Sequence, residues 1–221
     1  MNTADDIRIN FAERVVLKVL ERALQAIPSP GKKELFEKLN KIENVLTRMK
    51  YSYMDGPSIK ESDMGHELKH LCGEIAKGLG PGWEGKVSSE ISANIRFALN
   101  NLYNLPERMC LPDDPVFACD IRKGRVNSVE KGEKVLICKV DIGTRSITVV
   151  TNDLSVREGS EVAIIFLPPT KVYGTTSEGM FLGAAEGVLK NVEGMPGEFP
   201  RVPKESFEEA RRKILLLLNK E

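Results

Sequence analysis

Apolar residues recur at every third or fourth position through the amino-terminal half of the chain. They form stripes over residues 7–27, 35–53, 64–79 and 87–102, with polar residues at most of the positions between them. This spacing places the apolar side chains on one face of a helix. Short loops join the four segments, as is typical of neighbouring antiparallel helices. The pattern therefore predicts a helical bundle over residues 1–108.

Two of these segments also carry residues that commonly begin a helix. Thr3 precedes Asp6 by three positions, and Ser58 precedes Glu61 by the same distance. A hydroxyl followed at this spacing by a carboxylate forms a capping box, in which each side chain accepts from the other residue's backbone amide. The sequence therefore predicts that the first helix is capped at Thr3 and the third at Ser58.

The pattern changes after Pro106. Short runs rich in β-branched residues lie at 135–140, 146–151 and 161–166, and turns containing glycine separate them. Such runs predict strands. No helical stripe lies between them, which favours a barrel over a sheet with crossover helices.

A final apolar stripe follows Pro203 and predicts a carboxy-terminal helix within 201–221. The chain is therefore expected to be an α+β protein of more than one domain. A helical bundle is followed by a strand-rich domain over 109–200 and then by this last helix.

Charge and composition narrow the function only slightly. The 32 basic residues are balanced by 32 acidic ones, so no overall basic excess points to nucleic acid. No run approaches the ~20 apolar residues that cross a bilayer, and the acidic amino terminus lacks the apolar segment of a secretion signal. The four cysteines show no metal-ribbon spacing. We therefore expect a cytoplasmic protein with no membrane segment, reduced thiols and no cofactor.

Three separated motifs in the strand-rich part carry a family resemblance. They are Asp120–Val126, Lys139–Gly143 and the long segment Phe166–Met180, which reads Phe-Leu-Pro-Pro-Thr-Lys-Val-Tyr-Gly-Thr-Thr-Ser-Glu-Gly-Met. In this order they resemble the tRNA-binding OB domain attached to bacterial methionyl-tRNA synthetase and to the endothelial-monocyte-activating polypeptide. The resemblance implies a five-stranded OB-type barrel from about Pro115 to Gly187.

The same resemblance implies a function and a set of contact residues. It indicates a non-catalytic protein that binds tRNA or another structured RNA, with an aminoacyl-tRNA synthetase as an expected partner. The family's lysine, serine and methionine contacts match Lys171, Ser177 and Met180. Arg122 and Arg125 on the opening strand are further candidates. Ser177 to Met180 can alternatively be interpreted as a structural turn.

This chain departs from the family at three positions of the long motif. Phe166 replaces an asparagine, Pro168 a lysine and Tyr173 an arginine. Fewer cationic contacts predict weaker binding with a shallower salt dependence. An exposed Tyr173 or Phe166 would compensate by stacking on a base. The departures keep open a second interpretation, a protein-interaction module built on a degenerate OB domain.

Both histidines of the chain lie in His66-Glu67-Leu68-Lys69-His70, which matches the HExxH pattern of zinc hydrolases. In such an enzyme both imidazoles bind zinc and Glu67 acts as general base, with Glu90 a candidate third ligand. Helical geometry, however, turns both histidines away from the apolar stripe at 64–79. Zinc hydrolysis is thus a third interpretation, and we expect surface histidines without a catalytic metal.

The last helix contains an uninterrupted apolar run, Ile214–Leu218. If one face of this helix is buried, Leu215 and Leu216 point sideways or outward. Exposed leucines are commonly covered by another molecule. Together with the regular stripe at 35–53, they predict a homodimer.

Overall fold

The computed structural model describes residues 3–28, 31–184 and 187–220. Its internal contacts divide the chain into two compact units, residues 1–118 with 215–221 and residues 119–214. The first unit is helical and the second is built mainly of strands. Within the described residues, no helix is both long enough and apolar enough to span a bilayer.

The amino-terminal region is helical, as the periodicity predicts. Its α-helices are α1 (Ile7–Phe11), α2 (Leu17–Gln25), α3 (Lys32–Lys50), α4 (Gly56–Glu61), α5 (Asp63–Gly78) and α6 (Ser89–Arg108). A π-helical turn at Ala12–Val16 joins α1 to α2. The core of this unit forms where α3 packs on α5 and where α6 packs on α2 and α5.

The helix caps differ from both predicted capping boxes. The α1 cap is Asp6, whose carboxylate accepts from the Arg8 amide, whereas the Thr3 hydroxyl donates to the Lys50 carbonyl oxygen at 2.7 Å. The third predicted helix is divided after Glu61. Ser62 caps its longer part, α5, by accepting from the Gly65 amide. The predictions were wrong because nearby residues compete for the same cap and the sequence pattern does not rank them.

The strand-rich unit has the three strands that the β-branched runs predict, together with the predicted opening strand and several short ones. In chain order they are β1 (Ile121–Lys131), β2 (Leu136–Asp141), β3 (Ser146–Thr151), β4 (Glu161–Ile165), β5 (Thr170–Val172), β6 (Thr175–Ser177), β7 (Met180–Phe181), β8 (Gly183–Ala184) and β9 (Gly187–Val188). The carboxy-terminal helix, α7, covers Glu208–Asn219.

Five of these strands form one antiparallel sheet in the order β3-β2-β1-β4-β7. A bulge between Val126 and Ser128 interrupts the pairing of β1 with β2. Bulges increase local twist and bend a strand, and the sheet curls into a half barrel. Its concave face is filled mainly by apolar side chains: Val126, Leu136, Cys138, Val140, Ile147, Val149, Val162, Ile164 and Phe181.

The curl brings the outer strand β3 towards the segment that follows β6. The Glu178 amide donates to the Thr148 carbonyl oxygen at 2.8 Å. The Val150 amide donates to the Ser177 hydroxyl oxygen at 3.0 Å. These bonds link β3, at one end of the curled sheet, to the residues that lead into β7 at the other end.

Candidate functional site

The β5–β6 hairpin presents two of the predicted site residues at the surface. Lys171 is exposed on β5, opposite Thr176 of β6. Tyr173 and Gly174 form the turn, with φ angles of 47° and 83°. A two-residue hairpin loop with both φ angles positive is normally Asn-Gly or Asp-Gly, because these residues tolerate the left-handed conformation. Here a tyrosine occupies the strained position, and its side chain is 76% exposed.

Ser177 faces the interior of the protein. It is only 5% exposed, and its hydroxyl donates to the Gly179 carbonyl oxygen while accepting from the Val150 amide, both at 3.0 Å. The neighbouring Glu178 carboxylate bonds Arg145 at 2.9 Å. The segment thus has the contacts of a structural turn that follows β6 and is hydrogen-bonded to β3.

Gly179 and Met180 continue this segment. A Cβ atom on Gly179 would lie 2.6 Å from the Ile165 carbonyl oxygen, so only glycine allows the backbone to approach β4 so closely. Met180 then pairs with Ile165. Its half-buried side chain lines a groove beside the hairpin.

This groove has a volume of about 550 Å³. It runs between the end of β3, the β5–β6 hairpin, the β8–β9 hairpin and the first turns of α7. Tyr173 and Met180 both line it, so the fold brings together two predicted site residues. Sequence reasoning missed several other residues of its lining: Lys134, Asn152, Asp153 and Lys213. They come from three distant segments of the chain, around positions 134, 152–153 and 213, and no local motif connects these segments.

Asp153 holds one wall of the groove in place. Its carboxylate accepts from the Ser155 hydroxyl, the Ser155 amide and the Val188 amide, at 2.5, 2.8 and 2.8 Å. These bonds favour the charged form, led by that of the Ser155 hydroxyl, and lower the pKa of Asp153 to about 2. The carboxylate thereby ties the β8–β9 hairpin to the turn after β3.

Arg122 and Arg125 are not brought to one surface. Side chains alternate along a strand, so these two, three positions apart on β1, point to opposite faces. The Arg122 guanidinium donates to the Gly197 carbonyl oxygen at 3.0 Å. Arg125 is more exposed and lies 3.7 Å from the Glu161 carboxylate. At most one of them can share a ligand surface with the β5–β6 hairpin.

Phe166 and the HExxH residues occupy different environments. Phe166 packs against the sheet core, so of the two aromatic substitutions only Tyr173 is available for stacking. His66 and His70 are exposed on α5, and Glu67 forms an ion pair with Arg48 at 2.8 Å. Among the described residues, no group of three or more potential ligands is placed to hold a metal ion. The geometry does not favour a zinc hydrolase.

Two family models match the chain. Residues 1–111 match a family described as "Alpha helical domain", and residues 121–204 match one described as "Putative tRNA binding domain". The chain belongs to the family described as "Alpha helical domain", whose model covers half of it, and its strand-rich part matches the tRNA-binding domain model. The tRNA-binding domain family match contains all five strands of the sheet, the β5–β6 hairpin and most of the groove lining.

Comparison with solved structures finds a similar chain described as "MetRS related protein from Pyrococcus horikoshii". The two are 24% identical over 38% of this chain and 90% of the other, with a TM-score of 0.34. No curated protein matches the chain.

Proposed function

We propose that this protein binds tRNA through its strand-rich unit and carries out no catalysis. The observation that supports the proposal most directly is the β5–β6 hairpin, which presents Lys171 and Tyr173 to solvent on a domain of the tRNA-binding family. An exposed ammonium and an exposed aromatic ring provide the two main contacts to unpaired RNA, one to phosphate and one to a base.

We also propose that the strand-rich unit is an OB-type barrel. Its support is the curled antiparallel sheet and the bonds of Ser177 and Glu178, which link the sheet's two ends. In this proposal Ser177 acts by fixing the segment between the hairpin and Met180. The direct RNA contacts in this proposal are Lys171, Tyr173 and Met180. Arg125 would add a phosphate contact at the edge of that contact surface.

The helical region has a different proposed role. We assign residues 1–108 to a bundle that holds a protein partner, for which an aminoacyl-tRNA synthetase is the natural candidate because it acts on the same RNA. In the same proposal, residues 109–200 form the strand-rich domain, and the helix within 201–221 follows it. The whole would act in the cytoplasm as a homodimer.

The test of the proposal is tRNA binding by the full chain at several salt concentrations. Replacing Lys171 by alanine should weaken binding and reduce the dependence of log affinity on log salt by about 1, since one phosphate contact is lost. Lys41→Ala, at an exposed position of α3, is the charge-matched control and should leave both values unchanged.

Circular dichroism should show that Lys171→Ala remains folded, because the side chain is exposed. Absence of tRNA binding by the unmodified protein at low salt would refute the function. Equal affinity in Lys171→Ala would refute the role of the hairpin.

A further inference from the structure

The groove beside the β5–β6 hairpin has the size of a small-ligand site. Its volume of about 550 Å³ lies within the range of about 300–1,000 Å³ that is usual for such sites. Four valines contribute apolar walls: Val135, Val150, Val172 and Val188. Tyr173 stands at its edge. Apolar surfaces of this kind suit an uncharged ring.

Polar groups at the groove are placed for a base and its phosphate. Asn152 is exposed at the end of β3, and within the described residues its side-chain amide has no hydrogen-bond partner. An amide can donate and accept at once, which suits the edge of a nucleobase. Lys134 and Lys213 are exposed at the groove, and neither is paired with another described residue.

The acidic residues limit what the groove can hold. The Asp153 carboxylate already accepts three hydrogen bonds. Glu209 lies four residues before Lys213 on α7, and both line the groove. Two lysines balanced by two carboxylates do not favour a highly charged ligand inside the groove. This balance of charge permits a neutral ring inside the groove, with a single phosphate paired to Lys134 or Lys213 at the rim.

We propose that this groove holds one unpaired nucleobase of a bound RNA. The base lies against the valine walls, Tyr173 covers it from the hairpin, and Asn152 bonds to its edge. This inference rests on the proposed tRNA-binding function and adds a pocket for a single-stranded nucleotide to the phosphate contact at Lys171.

The first test compares two octamers with the same number of phosphates, oligouridylate and a chain of abasic ribose phosphates. The full-length protein should bind the abasic octamer about tenfold or more weakly, because it lacks the ring that stacks and fills the groove. Equal affinity for the two would show that only phosphates are contacted and would overturn the pocket.

The second test blocks the groove from an exposed position. Ala184→Trp should fill it and lower oligouridylate affinity about tenfold, and Asn152→Ala should lower it by a smaller factor. Thr144→Trp, at an exposed turn that does not line the groove, is the control for adding a large side chain and should bind normally.

The outcomes separate this inference from the function on which it depends. Weaker tRNA binding in Lys171→Ala together with unchanged oligouridylate binding in Ala184→Trp would refute the pocket and keep the function. No RNA binding by the unmodified protein would refute both. If a peptide from a protein partner protects the groove residues and neither octamer does, the nucleobase pocket is refuted and the groove is assigned to protein recognition.

Discussion

Tyr173 combines a strained backbone with an exposed aromatic ring. Its φ of 47° costs a non-glycine residue about 1–3 kcal/mol, a cost that commonly marks functional positions. Burial does not compensate for it, since 76% of the side chain is exposed. The residue therefore lowers stability at a place where the ring is accessible to a ligand.

Replacing Tyr173 by asparagine should separate these two effects. Asparagine accepts the left-handed conformation, so the free energy of unfolding should rise by about 0.5–1 kcal/mol. RNA affinity should fall by about 1–3 kcal/mol, the usual loss when a stacking ring is removed. Chemical denaturation and RNA titration measure the two changes.

Tyr173→Phe is the matched control, because it keeps both the ring and the strain. It should retain the stability and the affinity of the unmodified protein. If the phenylalanine variant loses as much affinity as the asparagine variant, the phenol hydroxyl and not the ring makes the contact.

At the scale of single elements, the helical unit depends on a buried charge. Arg8 is fully buried and forms an ion pair with Asp6 at 2.5 Å. Its guanidinium also donates to the carbonyl oxygens of Arg108 and Met109, at 2.8 and 3.3 Å. These carbonyls end α6 and have no partner within that helix. Arg8 thereby connects α1 to the end of α6.

Replacing Arg8 by alanine should therefore destabilise the helical unit strongly. The change leaves the Asp6 charge buried without its cation and removes one donor from each of the carbonyl oxygens, and breaking such a buried pair typically costs about 3–5 kcal/mol. The double change Arg8→Met with Asp6→Ala removes both charges and should cost less than Arg8→Ala. Thermal unfolding followed by circular dichroism measures both changes. An Arg8→Ala variant as stable as the unmodified protein would show that these bonds of Arg8 do not stabilise the helical unit.

The β8–β9 hairpin depends in a similar way on Asp153. The low pKa of this carboxyl, about 2, means that it stabilises the fold while it is charged. This contribution is complete above the unfolded pKa, about 3.9, and is lost as pH falls from there through about 2.

Asp153→Asn should lower the free energy of unfolding at pH 7 by about 1–2 kcal/mol, because charge-assisted bonds to Ser155 and Val188 are weakened. The difference from the unmodified protein should shrink between pH 4 and pH 2, where the native carboxyl also becomes neutral. Denaturation at a series of pH values measures this. A difference that is constant with pH would show that the charge makes no contribution.

At the scale of the whole molecule, α7 bears the predicted exposed leucines. Ala210, Ile214 and Leu218 are buried, whereas Leu215 is 42% exposed and Leu216 is 53% exposed. Adjacent exposed leucines form an apolar ridge, which is consistent with an interface. The homodimer itself stays a prediction.

Light scattering tests this prediction. The unmodified protein should have twice the monomer mass of 24.6 kDa. The pair Leu215→Glu and Leu216→Glu should give the monomer, because four charges would be buried in a symmetric interface. Leu154→Glu, which changes another exposed leucine, should not affect the mass. A monomeric unmodified protein at high concentration would refute the homodimer.

The sequence alone determined the main elements and the kind of domain that the strand-rich part resembles. Helical periodicity located the amino-terminal helices, and β-branched runs located β2, β3 and β4, because both patterns are local and repeat along the chain. The order of three motifs indicated the tRNA-binding domain whose model matches residues 121–204. Local patterns did not settle where each helix begins, since Asp6 and Ser62, and not Thr3 and Ser58, cap α1 and α5.

Only the tertiary structure decided what each candidate residue can contact. The spacing of the long motif does not distinguish Lys171, which is exposed to solvent, from Ser177, whose hydroxyl bonds β3. That difference arises because Ser177 pairs with Thr170 in the β5–β6 hairpin, so its side chain and that of the adjacent Lys171 lie on opposite faces. The groove likewise joins Lys134, Asn152 and Lys213, residues that become neighbours only when the chain folds.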